Sequence, residues 1–372
     1  MRLSLPLAAR LPERRWLAAL VVTAAAALTL VLLFLGARWA WRTYYTYRFW
    51  QGLRLNQTAW EAGYLERRLP LPPDGPRDGY WGSRIGSHTV DPQLGWVLPA
   101  LRIPGLLETD ARGMQHVMPA APPQLHLLIV GASTAFGGYA SSIERTYFHQ
   151  LARRLEAAGL PVEVTVYATG AWKSVQEVAA LRLHGLALRP DAVLFLNGLN
   201  DITNGSNARA LYGEATETLD GSRWHPLYHE HDYGARVRTY LANMEAAYEE
   251  LRGGAVPLIV ALQPALFEKA HLSTIEARVQ RESLVYYGPR EQLAGAYATL
   301  RARLAEAAAR TPGMYFIDCS RAFDEETATV FTDMWHFSDP GHEILARALA
   351  DPLARILRPL AKPAASASLS GR

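Results

Sequence analysis

The sequence predicts an α/β protein: a three-layer α/β/α domain on a five-stranded parallel sheet, preceded by an N-terminal transmembrane helix. Three observations carry this prediction. Five short apolar runs lack the alternation of a half-solvated strand, helical patterns separate them, and one long uncharged stretch lies near the N-terminus. Strands of a parallel sheet are covered on both faces, so they read as continuous hydrophobic runs. Strands alternating with helices build layered α/β domains, and right-handed crossovers leave few topologies.

From the N-terminus, residues 1–15 hold Arg2, Arg10, Arg14 and Arg15, and residues 16–37, Trp16 to Ala37, carry no charge. As a helix this span of about 22 residues reaches ~33 Å, enough for a hydrocarbon core. A cleavable signal peptide has a shorter apolar region and a small-x-small site, and Gly36-Ala37-Arg38-Trp39 is a poor one, so an uncleaved signal-anchor is expected. Arg38, Arg42 and Arg48 follow the span, and the charge balance tilts toward a short cytoplasmic N-terminal segment. The remainder is then extracytoplasmic, periplasmic in a two-membrane envelope. Trp39, Trp41, Tyr44, Tyr45, Tyr47, Phe49 and Trp50 form an aromatic belt within a juxtamembrane region, 38–79, whose Pro/Gly-rich end (66–80) reads as a linker.

Residues 80–124 contain short apolar pieces broken by turn signals and predict a small β-rich prelude. The α/β domain is expected over 125–360, with strands Leu125–Val130, Val162–Tyr167, Ala192–Leu196, Val256–Leu262 and Met314–Ile317. Helices are expected near 142–158, 174–187, 235–252, 289–310 and 340–358. The last opens on Asp339-Pro340-Gly341, an N-cap followed by proline. Pro264–Pro289 is longer than a crossover needs and predicts a flap that, with the 204–234 loop, sets specificity. Residues 361–372 form an Ala/Ser-rich tail expected to be disordered.

Composition removes several classes. The 372 residues carry a net charge of only +3 with no basic block or basic-aromatic stripe, so no nucleic-acid partner is expected. Cys319 is the single cysteine, which excludes an intramolecular disulfide, and reads as a small buried packing residue. His225, His229, His231 and Asp232 lack helical i, i+4 spacing and read as a solvated loop, so no metal is expected. Gly131 to Gly138 contains neither a Walker lysine nor Gly-x-Gly-x-x-Gly, and no cofactor is expected.

In open parallel sheets ligands bind beyond the carboxyl ends of the strands. The residues there are Gly131-Ala132-Ser133-Thr134, then Ala168-Thr169-Gly170, then Asn197-Gly198-Leu199-Asn200-Asp201, then Gln263-Pro264, and after an excursion Asp333-Met334-Trp335-His336. A serine hydroxyl is a weak nucleophile alone, and an imidazole oriented by a carboxylate activates it. Taken singly, Ser133 also fits a helix N-cap, Asp333 a turn cap, Asp201 a turn former held to backbone N–H groups, and His342 a helix-surface residue.

In order and spacing these blocks resemble the SGNH (GDSL-like) hydrolase superfamily over roughly 125–358, with Gly198-Leu199-Asn200-Asp201 matching its third block as written. The resemblance implies a flavodoxin-like sheet, Ser133 as nucleophile, His336 as base and Asp333 as its orienting acid. It further implies an oxyanion hole from the Ser133 N–H, Gly170 and Asn200. Two positions depart from the pattern: Ala132 replaces the usual aspartate, and Thr169-Gly170 lacks the asparagine common near that glycine. The implied activity is that of a membrane-anchored serine esterase acting on an acylated (including acetylated) envelope or extracellular glycan or on lipid. Two alternatives stay open: O-acyl transfer through the same acyl-enzyme, and a non-catalytic scaffold of a polysaccharide machine.

Overall fold

The computed structural model describes residues 11–72, 88–203, 232–252 and 256–362. Residues 1–10, the linker from 73, the 204–231 loop with His225, His229 and His231, and the tail from 363 lie outside the described residues. The chain divides into two compact units at Arg54/Leu55.

The first helix, α1 (Leu11–Leu65), contributes residues 11–54 to the first unit. Its stretch Trp16–Ala40 is long and apolar enough to cross a membrane, with a mean hydropathy of 2.6 and no buried residue. A helix that is apolar all round needs an apolar surrounding. Thr23 and Thr29 return their hydroxyls to the Ala19 and Ala25 carbonyls at 2.9 Å, so their polar atoms are satisfied inside the helix.

The second unit begins at Leu55. Leu55, Ala59 and Ala62 recur at helical spacing, and with Trp60 and Tyr64 they are buried in the main core. The last turns of α1 therefore belong to the second unit. β1 (Thr89–Asp91) pairs with β2 (Gly95–Val97) and β3 (Leu101–Ile103) with β4 (Leu107–Thr109), both antiparallel. In the β1–β2 turn, Asp91 accepts the Gln93 and Leu94 N–H groups at 2.8 and 2.7 Å.

The main sheet contains β6 (Leu125–Gly131), β7 (Val162–Ala168), β8 (Ala192–Asn197), β9 (Leu258–Leu262) and β10 (Met314–Asp318), all mutually parallel where paired. The spatial order is β10-β9-β8-β6-β7-β5. The expected five strands are present, and a sixth corrects the count: β5 (Gln115–Val117) leaves the prelude and pairs antiparallel with β7. Three residues are too few for a periodic signal, and only the exposed edge of β7 turns them into a strand. Chain direction across the sheet reverses around β6 and β8, which places a crevice at their carboxyl ends.

Helices α2 (Tyr147–Ala157) and α8 (Asp339–Leu357) pack on each other, while α3 (Ser174–Ala180) packs on α5 (Tyr233–Arg252) and α5 on α7 (Arg290–Arg310). That grouping is what right-handed crossovers require of this strand order. The short α4 (Leu199–Thr203) follows β8. The insertion after β9, where the sequence predicts a flap, forms α6 (Thr274–Tyr287). Its signal is the capping box Ser273-x-x-Glu276, with both reciprocal bonds made.

Candidate active site

The sheet register decides where the site can be. Gly131 is level with Ala168 and with Leu196, and Asn197 with Leu262, so the turns after β6 to β9 leave the sheet at one height. Ser133 sits two residues beyond β6. Gly131 lets the chain bend there, since a Cβ would lie 2.5 Å from both Ala135 Cβ and the Leu196 oxygen. The following turn is held by Phe136 N–H to Ala132 O (2.9 Å) and Gly138 N–H to Ser133 O (3.1 Å).

The loop after β10 brings Asp333 and His336 to the same edge. Asp333 Oδ1 accepts the Trp335 and His336 backbone N–H groups at 3.0 and 2.8 Å. Its Oδ2 faces His336 Nδ1 at 2.7 Å, and His336 Nε2 faces Ser133 Oγ at 2.7 Å. One carboxylate thus caps its own turn and orients the ring, which is why Asp and His stand three residues apart. With Nδ1–H given to Asp333, Nε2 carries the lone pair that can accept the Ser133 proton. Thr332 closes the loop through its N–H and hydroxyl to the His336 carbonyl, at 2.8 and 3.1 Å. The side chains of His336 and Asp333 remain 13 and 18% exposed, open to a ligand yet largely desolvated.

Several supporting residues carry no signal in the sequence. Thr134 donates to the Trp335 carbonyl at 3.2 Å and accepts from Gln263 Nε2 at 3.0 Å, tying the Ser133 turn, β9 and the histidine loop together. Gly138 packs beside His336: a Cβ there would make an ordinary 3.4 Å contact with the ring Cδ2 and a tight 3.2 Å one with the Ser133 backbone oxygen. His342, expected on a helix surface, is fully buried, and its Nε2 donates to the Gly138 carbonyl at 3.0 Å. The helical period puts it on the inner face of α8, between Tyr147 and Phe337. Burial lowers its pKa to about 3, so the ring is neutral.

On the other side stand Gly170 and Asn200. Asn200 Nδ2 donates one hydrogen to the Trp172 carbonyl at 2.9 Å, which orients the amide and leaves its second hydrogen for a ligand. Trp172 Nε1 donates to Trp96 O and Trp96 Nε1 to Gly170 O, each at 2.8 Å, so two indoles lace the two turns together. Trp96 comes from the prelude, and no local signal links it to this edge. Among the described residues, neither the Ser133 nor the Gly170 N–H donates to another backbone group. Gly198 has φ +102°, and a Cβ would meet Leu262 Cδ1 at 2.7 Å, so the Gly-x-Asn-Asp turn needs its glycine.

Beneath Asn200, Asp201 accepts the Ser174 N–H at 3.2 Å and the Ser174 hydroxyl at 2.5 Å, the turn-holding part read for it from sequence. Glu177 takes the Asn197 amide, whose oxygen accepts from Tyr240 at 2.7 Å. Burial pushes both the Asp201 and Glu177 carboxyls up, Glu177 further through repulsion by Asp201, and burial lowers Lys173 to about 8. Cys319 is buried, and burial also raises its thiol pKa. Among the described residues, no three His, Cys, Asp or Glu side chains are grouped to hold a metal ion.

The α/β fold and the family match together show the class, an ester-hydrolysing serine hydrolase. The sequence model of the GDSL-like Lipase/Acylhydrolase family matches residues 129–344, over half of the 372, and the protein belongs to that family. No curated protein matches the chain. Among solved structures, a lipase/acylhydrolase from Enterococcus faecalis is similar at 17% identity and a TM-score of 0.42, covering 64% of this chain and 98% of its own. An acetyl xylan esterase, AlAXEase, is similar at 15% identity and a TM-score of 0.37 (62% and 100% covered). A catalytic mutant of an acetylxylan esterase from Geobacillus stearothermophilus is similar at 17% identity and a TM-score of 0.39 (65% and 96% covered).

Proposed function

We propose that Ser133, His336 and Asp333 are the catalytic triad of a membrane-anchored esterase that removes acyl groups, acetyl among them, from an envelope or extracellular glycan or from lipid. The observation that carries the reading is the unbroken chain Asp333 Oδ2–His336 Nδ1 and His336 Nε2–Ser133 Oγ, with both contacts at 2.7 Å. His336 takes the Ser133 proton as Oγ attacks the ester carbonyl, and Asp333 stabilises the imidazolium that forms. The Ser133 N–H, the Gly170 N–H and the second Asn200 amide hydrogen face the developing oxyanion. Collapse expels the alcohol with a proton from His336. Water, deprotonated by the same ring, then releases the carboxylic acid. Trp16–Ala40 is the anchor, and the charge balance around it favours an extracytoplasmic catalytic unit.

Labelling with a fluorophosphonate probe tests the reading. The parent is expected to be labelled and to hydrolyse an aryl acetate. Ser133→Ala should lose both, and His336→Ala should lose turnover, each with parental thermal unfolding. Labelling or turnover at parental rate in Ser133→Ala would overturn the assignment.

A further inference from the structure

We propose that the last turns of α1 and the turn at Glu66 and Arg67 that follows them are a positioning element for the His336–Asp333 pair, acting through Trp60 on the Tyr139 turn and through Glu66 on the start of the catalytic loop. The inference rests on the triad reading above.

Trp60 is 3% exposed and its indole N–H donates to the Tyr139 carbonyl at 3.0 Å. Tyr139 has φ +69°, a left-handed backbone that a non-glycine residue keeps only when its surroundings hold it. Its ring centroid lies 5.1 Å from that of His336, and the preceding Gly138 abuts the same imidazole. The Trp60 bond therefore fixes the backbone of one wall of the histidine's berth.

The second contact lies at the other end of the loop. The Glu66 carboxylate accepts the Thr329 N–H at 2.6 Å and the Thr329 hydroxyl at 2.9 Å. Arg67 donates to the Thr329 carbonyl at 2.7 Å and pairs with Glu326 at 2.8 Å. Gly63 lies so close to the loop that a Cβ would stand 2.5 Å from Ser338 Oγ and 3.2 Å from the Thr329 oxygen. Thr329 precedes Asp333 by four residues and Ser338 follows His336 by two, so both arms of the catalytic loop rest on the end of α1 and the turn after it. These are directional bonds to loop backbone, which set position more tightly than apolar burial does. Ångström-scale misplacement of a catalytic group costs rate with little effect on binding.

The test uses the full-length protein in detergent, with Glu66→Gln, Trp60→Phe, and Thr329→Val, which puts a methyl in place of the hydroxyl that bonds Glu66 and Ser273. For each, kcat and KM on an aryl acetate are measured from pH 5 to 9, with fluorophosphonate titration of active sites and thermal unfolding. Glu66→Gln is expected to lower kcat per titrated site about tenfold, to leave KM within about twofold, and to displace the acid limb of the pH profile. Trp60→Phe and Thr329→Val should move in the same direction by less. A merely structural part would lower unfolding temperature or active-site titre and leave kcat per titrated site and the acid limb at parental values. That result would overturn the inference. Ser133→Ala separates the two readings: if it is inert while the helix variants match the parent, positioning alone fails. If it still turns over, the triad reading fails.

Discussion

His342 makes the stability of this enzyme depend on pH in a way that can be isolated. The ring is fully buried against Tyr147 and Phe337, donates to the Gly138 carbonyl, and leaves Nδ1 without a partner. Burial lowers its pKa from the ordinary 6.5 to about 3, the hydrogen bond to Gly138 opposing the shift only in part. Between those values the folded ring stays neutral while the unfolded one takes up a proton. The group's stabilising contribution is therefore full above pH 6.5 and is lost as pH falls toward 3. Each unit inside the window removes about 1.4 kcal/mol, so this residue alone costs about 2 kcal/mol between pH 7 and pH 5. His342→Gln keeps a donor for the Gly138 carbonyl but cannot titrate. Urea unfolding of the full-length protein in detergent, followed by tryptophan fluorescence at both pH values, is the assay. The parent should lose about 2 kcal/mol more than the variant on acidification. His88 and His149, each lowered by burial to about 4, add loss of the same sign to both proteins and cancel in the comparison. Equal acid losses in parent and variant would refute the reasoning.

Three further outcomes are expected. Asn200→Ala should lower kcat on an aryl acetate by about 10²–10³-fold, about 3–4 kcal/mol of barrier, with KM little changed. Steady-state kinetics checks this, and a parental kcat would remove Asn200 from the oxyanion hole. Lys269 and Glu276 form a fully buried ion pair at 2.5 Å, and Glu276 also accepts the Val330 and Phe331 N–H groups at 2.9 and 3.1 Å. Lys269→Met leaves that carboxylate buried without its cation and should destabilise by about 3–5 kcal/mol, read from the urea midpoint. Cys319 is buried, and burial raises its thiol pKa, so a disulfide reagent should react fully only after denaturant is added.

Much of the parallel sheet and the order of its blocks was legible because both rest on local chemistry. Strands covered on two faces must be continuously apolar, and polar residues break out where each strand meets the crevice, so the blocks holding Ser133, Gly170 and Asn200 could be found after the runs, while Asp333 and His336 were picked out by their Asp-x-x-His spacing and the oxyanion parts of Gly170 and Asn200 by the family resemblance. The Asp-x-x-His spacing is local for the same reason, since Asp333 caps the turn that carries His336. What surrounds these residues was not legible. Trp96 reaches Gly170 across 74 residues, Trp60 reaches Tyr139 across 79, and Glu66 reaches Thr329 across 263. His342 looks like any polar residue near a helix start until α8 turns it inward. β5 becomes a strand only because β7 offers an unpaired edge. Sequence by itself determined which residue types stand at the carboxyl ends of the strands, because backbone period and burial are local properties. Only tertiary structure decided which distant side chains hold those residues at hydrogen-bonding distance, because that requires the chain to close on itself and leaves no trace in any short window.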